Sequence, residues 1–136
     1  MNRVTHFEIH AADPKKIASF YQDVFGWQVE EWLVPGVPVK EEDRYWLVST
    51  GPEDEPGIDG GISVRRGPPP TAGQAVNAFV CSIDVESLDE SMDKALRAGG
   101  SVALPKMPVK GVGWLAYCID PEGNLFGMMQ SDETAG

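Results

Sequence analysis

The stretch that decides the fold runs from Val4 to Trp27 and reads VTHFEIHAADPKKIASFYQDVFGW. Its opening, Val4 to Ala11, alternates: Phe7 and Ile9 fall on one side of an extended chain, and His6, Glu8 and His10 fall on the other, as in a half-buried strand. Asp13 then stands where a helix N-cap accepts backbone N–H bonds, and Pro14 takes the first helical position, where a missing N–H costs nothing. Ile17, Phe20, Tyr21, Val24 and Phe25 recur at helical spacing, and Gly26 supplies the stop. The stretch therefore predicts a strand followed at once by an amphipathic helix.

Working outward, three further strands are expected around Trp27 to Trp32, Arg44 to Thr50 and Ile58 to Arg65, separated by segments rich in Pro, Gly and acids. After the linker Gly67-Pro68-Pro69-Pro70-Thr71-Ala72-Gly73 the same order returns. A strand at about Ala78 to Val85 puts Phe79, Cys81, Ile83 and Val85 on one face. Ser87 and Glu90 have capping-box spacing, Leu88, Met92, Ala95 and Leu96 form an apolar stripe, and Gly99-Gly100 ends the helix. Strands follow at Ser101 to Leu104, Trp114 to Ile119 and Leu125 to Gln130, the last two joined by the turn sequence Asp120-Pro121-Glu122-Gly123-Asn124. The expected fold class is α+β: two paired βαβββ modules forming one cup-shaped mixed sheet with helices outside. Module 1 covers about 1–66, the linker about 67–75, module 2 about 76–130, and a polar tail 131–136.

Composition narrows the function. A 136-residue chain that is 42% hydrophobic can bury a core as one domain. With a net charge of -10, it is a poor match for nucleic acid, where affinity rests on Lys and Arg neutralising phosphates. No apolar run reaches the ~20 residues of a membrane span, and Met1-Asn2-Arg3 does not open a signal peptide, so a soluble cytoplasmic protein is expected. Cys81 and Cys118 read as reduced core thiols, and the acidic runs Glu41-Glu42-Asp43, Glu53-Asp54-Glu55 and Asp132-Glu133 as solvated loops without chemistry.

Val4-Thr5-His6-Phe7-Glu8-Ile9-His10, with Asp13, Phe20-Tyr21 and Val24-Phe25-Gly26-Trp27, resembles the opening of the glyoxalase and bleomycin-resistance proteins of the vicinal oxygen chelate superfamily. Ala98-Gly99-Gly100 and Asp120-Pro121-Glu122-Gly123-Asn124-Leu125-Phe126-Gly127 resemble its second half. The resemblance implies a cup-shaped sheet, a homodimer, and a divalent metal held by one ligand from the first and last strand of each module. Those positions fall on His6, Gly61, Val80 (or, with a one-residue slip, Phe79 or Cys81) and Gly127. Glycine and valine side chains cannot ligate, so no metal is expected there, and His6 is left as the lone candidate ligand.

The triplet His6-x-Glu8-x-His10 carries the remaining chemistry. Side chains at i and i+2 on a strand point the same way. They can converge on a metal, which is the alternative cofactor, or act without one, with His6, Glu8 and His10 as catalytic residues and Glu8 moving a proton between flanking imidazoles. For a binding role, the register places Ser63, Arg65, Ser82 and Met129 beside them, with Trp46 and Trp114 either walling the cup or packing in the core. Lys106 and Lys110, in the expected loop from Pro105 to Gly113, would close as a lid over an anionic ligand. The function expected is a small-molecule-binding glyoxalase-like protein lacking the usual metal site. The alternatives are a metal-dependent lyase or dioxygenase-like enzyme on the first strand, and a structural or partner-binding domain.

Overall fold

In the computed structural model, which describes residues 2–136, the chain divides into two compact units, one ending at Pro69 and the other starting at Pro70. The first contains β1 (His6–Ala11), α1 (Pro14–Phe25), β2 (Gln28–Glu31), β3 (Tyr45–Ser49) and β4 (Asp59–Val64). The second repeats the order with β5 (Ser82–Asp84), α2 (Leu88–Arg97), β6 (Ser101–Val109), β7 (Gly113–Ile119) and β8 (Leu125–Ser131). Each unit is a four-stranded mixed sheet, ordered β1-β4-β3-β2 in the first and β5-β8-β7-β6 in the second. In each, the first strand runs parallel to the last and the other neighbours are antiparallel. The chain is thus an α+β protein of two βαβββ modules. No helix among the described residues is long and apolar enough to cross a membrane.

The caps explain where the helices begin and end. Asp13 accepts a hydrogen bond from the Lys16 N–H, Pro14 opens α1, and Gly26 closes it in the left-handed region at φ 72°, where glycine has no Cβ to clash. Ser87 accepts from the Glu90 N–H at the start of α2, and the Gln130 side-chain oxygen accepts from the Leu88 N–H at 2.8 Å, tying that helix to β8. Helix α1 buries Ile17, Ala18, Phe20, Tyr21 and Val24 against Ile9, Ala11, Trp46, Val48 and Ile62 of its sheet. Tyr21 and Trp27 stack with ring centroids 5.0 Å apart, which fixes the exit of the chain from α1. In the second module Leu88 and Ala95 face Ala116, Cys118 and Met128, all buried.

The structure corrects several expectations. Strand β5 is only three residues long, so the expected Ala78–Val85 strand loses its first half; Phe79 is 98% exposed and Cys81 is exposed, leaving Cys118 as the core thiol. In α2, Leu96 turns away from the sheet and is exposed. Strand β6 continues through Lys106 to Val109, so the expected lid is a β-hairpin closed by a short turn at Lys110. It carries Pro105 and Pro108, which an edge strand tolerates because it needs no ladder donor on its outer side, and the register shifts around Pro105. The expected tail is tied down: Gly111 N–H donates to Ala135 O, Asp132 N–H donates to Val112 O, and Ala135 is buried.

Asp120 is the one buried charged residue in the described core. It accepts from the N–H groups of Glu122 and Asn124 at 2.8 and 2.9 Å and so builds the turn into β8 from the inside. Gly113 is the tightest backbone approach in the second sheet, since a Cβ there would sit 2.1 Å from the Gln130 carbonyl oxygen. Gly113→Ala is expected to destabilise the protein by ~1–3 kcal/mol, whereas Gly51→Ala, where a Cβ meets open space, leaves the melting temperature unchanged. Equal melting of the two variants would show that β7 and β8 do not approach this closely.

Candidate functional site

Strand alternation separates two faces in the first sheet. Phe7, Ile9 and Ala11 of β1, Ile62 of β4, and Trp46 and Val48 of β3 point to α1. The opposite face carries His6, Glu8 and His10 on β1, Gly61 and Ser63 on β4, and Tyr45 and Leu47 on β3. Glu8 pairs with Gly61, His10 with Ser63, Tyr45 with Ser63, and Leu47 with Gly61.

Tyr45 is the centre of this face. Its hydroxyl donates to Glu8 Oε2 at 2.9 Å and lies 2.8 Å from His6 Nε2. A phenol has one proton, so with that proton committed to Glu8, His6 carries hydrogen on Nε2 and donates to the phenol oxygen. His10 Nε2 lies 3.7 Å from Glu8 Oε1 on the other side, an ion pair when the imidazole is protonated. The ring of Tyr45 reaches this place only because Gly61 lies beneath it: a Cβ at Gly61 would stand 1.9 Å from the phenol oxygen. Trp32 meets the ring edge-on at 6.4 Å. Burial, then the hydrogen bond to the Glu8 carboxylate, push the Tyr45 phenol up to about 12, so it is a neutral donor throughout the physiological range.

Beside the cluster opens a pocket of about 400 Å³ lined by Glu8, His10, Tyr45, Ser63, Val64 and the rim residues Glu42, Asp43, Arg44 and Arg66. The rim is held by ion pairs. Arg44 grips Glu31 through two bonds of 2.9 and 3.0 Å, reaches Glu41 at 2.9 Å and lies 4.8 Å over the Trp46 ring. This raises the Arg44 pKa and lowers that of Glu31. Arg66 pairs with Asp43 at 2.7 Å and donates to the Glu42 carbonyl. The acidic run Glu41-Glu42-Asp43 is exposed, as expected of a solvated segment, and forms a single 3-10 turn tied to the pocket edge by these two arginines.

His6, Glu8, His10 and Ser63 are brought together as the strand periodicity implied, and Arg65 reaches back to donate to the His10 carbonyl at 2.7 Å. Trp46 is not a wall of this site. At 5% exposure it packs under α1, because it follows Tyr45 and so takes the other face. Ser82, Met129, Trp114, Lys106 and Lys110 belong to the second module. Ser82 pairs with Gly127, and Met129 with Asp84 and Leu115, on the face opposite α2. Trp114 is on the α2 side, where its indole N–H donates to Asp132 at 3.0 Å and Lys106 lies 5.0 Å over its ring. Lys106 is further held by Asp89 at 3.1 Å, a strand residue engaged with a helix rather than part of a lid; Lys110 is an exposed turn residue. The residue that sequence reasoning missed is Tyr45. Its signal was the parity that sets it opposite Trp46, together with a glycine on the neighbouring strand.

Residues 6–129 match the sequence model of the glyoxalase-like domain, and the chain belongs to that family. It is 23% identical over 129 residues to CFP32 of Mycobacterium bovis, a protein named as a glyoxylase, covering 95% of this chain and 46% of that one. The chain thus spans about half the length of the curated relatives it matches. Among solved structures it is similar to a glyoxalase/bleomycin resistance protein/dioxygenase family enzyme of Burkholderia phytofirmans, with TM-score 0.67, 19% identity, and 94% and 98% of the two chains covered. It is also similar to the fosfomycin resistance protein FosX of Listeria monocytogenes, in a mutant form complexed with Mn(II) and 1S,2S-dihydroxypropylphosphonic acid, with TM-score 0.67, 20% identity, and 97% and 94% covered. These likenesses establish the fold.

The metal that the family resemblance implies can be tested against the residues present. The pairing of Glu8 with Gly61 and of Ser82 with Gly127 makes Val80 the counterpart of His6 in the repeat, so the implied positions remain His6, Gly61, Val80 and Gly127. Above Gly61, the space of a ligating side chain is filled by a phenol that resists ionisation. Gly127 is roofed likewise: a Cβ there would lie 3.0 Å from the Tyr117 ring. Among the described residues, no three His, Cys, Asp or Glu side chains are grouped as a metal ion would need. These residues do not fit the family's metal site.

Because Tyr45 is held protonated in the fold, its contribution to stability is complete below its ordinary value of 10.0 and is lost as the pH rises through about 12. Ultraviolet titration is expected to show a tyrosine step near the upper value that is lost in Tyr45→Phe. If the step lost in Tyr45→Phe lies near 10, the hydrogen-bonded cluster is not formed.

Proposed function

We propose that this glyoxalase-like protein binds a small molecule without a metal, at the first-module face formed by His6, Glu8, His10, Tyr45 and Ser63. The observation that carries this reading is the Tyr45 phenol seated on Gly61 between His6 and Glu8. It supplies an oriented donor where a metal-dependent relative would need a ligand. The adjoining pocket, about 400 Å³, falls in the size range of small-molecule sites, and its lining is polar or charged except for Val64. Glu8 is the residue for a catalytic step: its carboxylate has a donor on one side and the His10 imidazole on the other, the setting in which a base can take and return a proton. Ser82 and Met129 make the corresponding second-module face, and Lys110 stays a ligand-contact candidate. We place the protein in the cytoplasm as a homodimer, after the family resemblance, with no nucleic-acid partner.

A fragment screen by amide NMR tests the assignment. Bound fragments are expected to shift the signals of β1, β3 and β4 around His6, Tyr45 and Ser63, and Glu8→Gln is expected to weaken the best of them about tenfold, the weight of one charge-assisted hydrogen bond. Hits scattered over other surfaces and indifferent to Glu8→Gln would contradict it.

A further inference from the structure

The chemistry of the first-module face is more selective than a polar pocket requires. On one spot it presents a donor and an acceptor side by side: the Tyr45 hydroxyl, fixed below by Gly61 and at its edge by Trp32, and the Glu8 carboxylate 2.9 Å away. In the unliganded protein these two satisfy each other. His6 Nε2 donates to the phenol oxygen and thereby strengthens the phenol as a donor, since a hydroxyl that accepts a hydrogen bond becomes a better one.

Charge decides what can replace the internal bond. The cations at the rim are already engaged, Arg44 by Glu31 and Glu41 and Arg66 by Asp43. Among the described residues, Glu8 is in hydrogen-bond or ion-pair reach of the Tyr45 phenol and the His6 and His10 imidazoles. An anionic ligand would therefore face the Glu8 carboxylate and would have to displace an existing ion pair to reach Arg44 or Arg66. A ligand that only donates would take Glu8 but leave the phenol without an acceptor. A neutral group with an acceptor atom next to an N–H or O–H can satisfy both at once: the acceptor receives the phenol proton and the donor faces the carboxylate.

We infer that Tyr45 is a ligand-binding residue, and that with Glu8 it selects a neutral carboxamide-type edge, the C=O and adjacent N–H or O–H shared by primary amides, lactams and hydroxamic acids. This rests on the proposed small-molecule site and names the chemistry of its ligand. Ligand entry replaces the single Tyr45–Glu8 bond with two bonds to the ligand, with His6 still donating to the phenol oxygen. Leu47, 46% exposed on the same face and paired with Gly61, gives an apolar neighbour for the rest of the ligand.

Three probes of one shape separate the possibilities: benzamide, with both groups; benzoate, acceptor only and negative; and benzamidine, donor only and positive. Each is titrated by amide NMR into the wild-type chain, Tyr45→Phe and Gly61→Ala, after EDTA treatment. Benzamide is expected to shift signals around His6, Tyr45 and Ser63, to lose about tenfold in affinity in Tyr45→Phe, and to bind more tightly than benzoate. Gly61→Ala, which leaves no room for the phenol, is expected to reproduce the loss; should it fail to fold, Tyr45→Phe keeps the ring and decides alone. Benzamide binding that is unchanged in Tyr45→Phe, or matched by benzoate, overturns the inference. So does binding at this face by benzamidine while benzamide leaves it unshifted. If none of the three probes shifts this face, the small-molecule site itself is refuted along with it.

Discussion

A glycine beneath a tyrosine fixes the character of this protein's candidate site. Gly61 cannot be replaced by any residue with a Cβ while the Tyr45 phenol keeps its position, because the two would be 1.9 Å apart. The phenol in turn holds His6 and Glu8, on alternate positions of β1, in one hydrogen-bonded line. The missing side chain at Gly61 thus does not leave an empty floor. It lets a residue from β3 cross over β4 and occupy the space, converting a position suited to a ligating side chain into one filled by a neutral donor. The second module repeats the device with Tyr117 over Gly127, though there the tyrosine lies directly opposite its glycine in the ladder instead of being offset by two residues.

Much of the fold was legible because local and long-range signals agree. Asp13, Pro14 and Gly26 mark α1 at both ends, Ser87 with Glu90 marks the start of α2, and the two-residue alternation of β1 sorted His6, Glu8 and His10 from Phe7 and Ile9. What failed was decided by pairing partners that sequence does not display. Phe79 and Cys81 alternate as a strand should, yet the ladder with β8 begins only at Ser82. Pro105 and Pro108 read as loop residues, but β6 is an edge strand and accommodates both.

The candidate site was half legible for the same reason. Its β1 residues and Ser63 follow from parity within single strands. Tyr45 requires knowing that a ring can cross to a glycine on the next strand, a fact of packing between neighbours. Trp46 drew attention as the larger aromatic, but a single step along β3 sends it under α1 and leaves Tyr45 as the residue on the functional face. The arginines of the rim were equally hidden: Arg44 and Arg66 fasten an acidic turn whose composition alone suggests solvent.

Family membership makes the departure informative. The chain shares a fold with proteins that include an Mn(II)-bound FosX, while its own counterparts of the ligand positions hold one imidazole, two glycines and a valine. The protein's integrity and its first-module site are therefore expected not to depend on a divalent ion. The most direct test is the metal content of protein purified without chelator or affinity tag, measured with its melting curve before and after EDTA. Substoichiometric metal and superimposable melts are the predicted result. One metal per chain, with a melting temperature that falls on chelation and a loss of metal in His6→Ala, would contradict it.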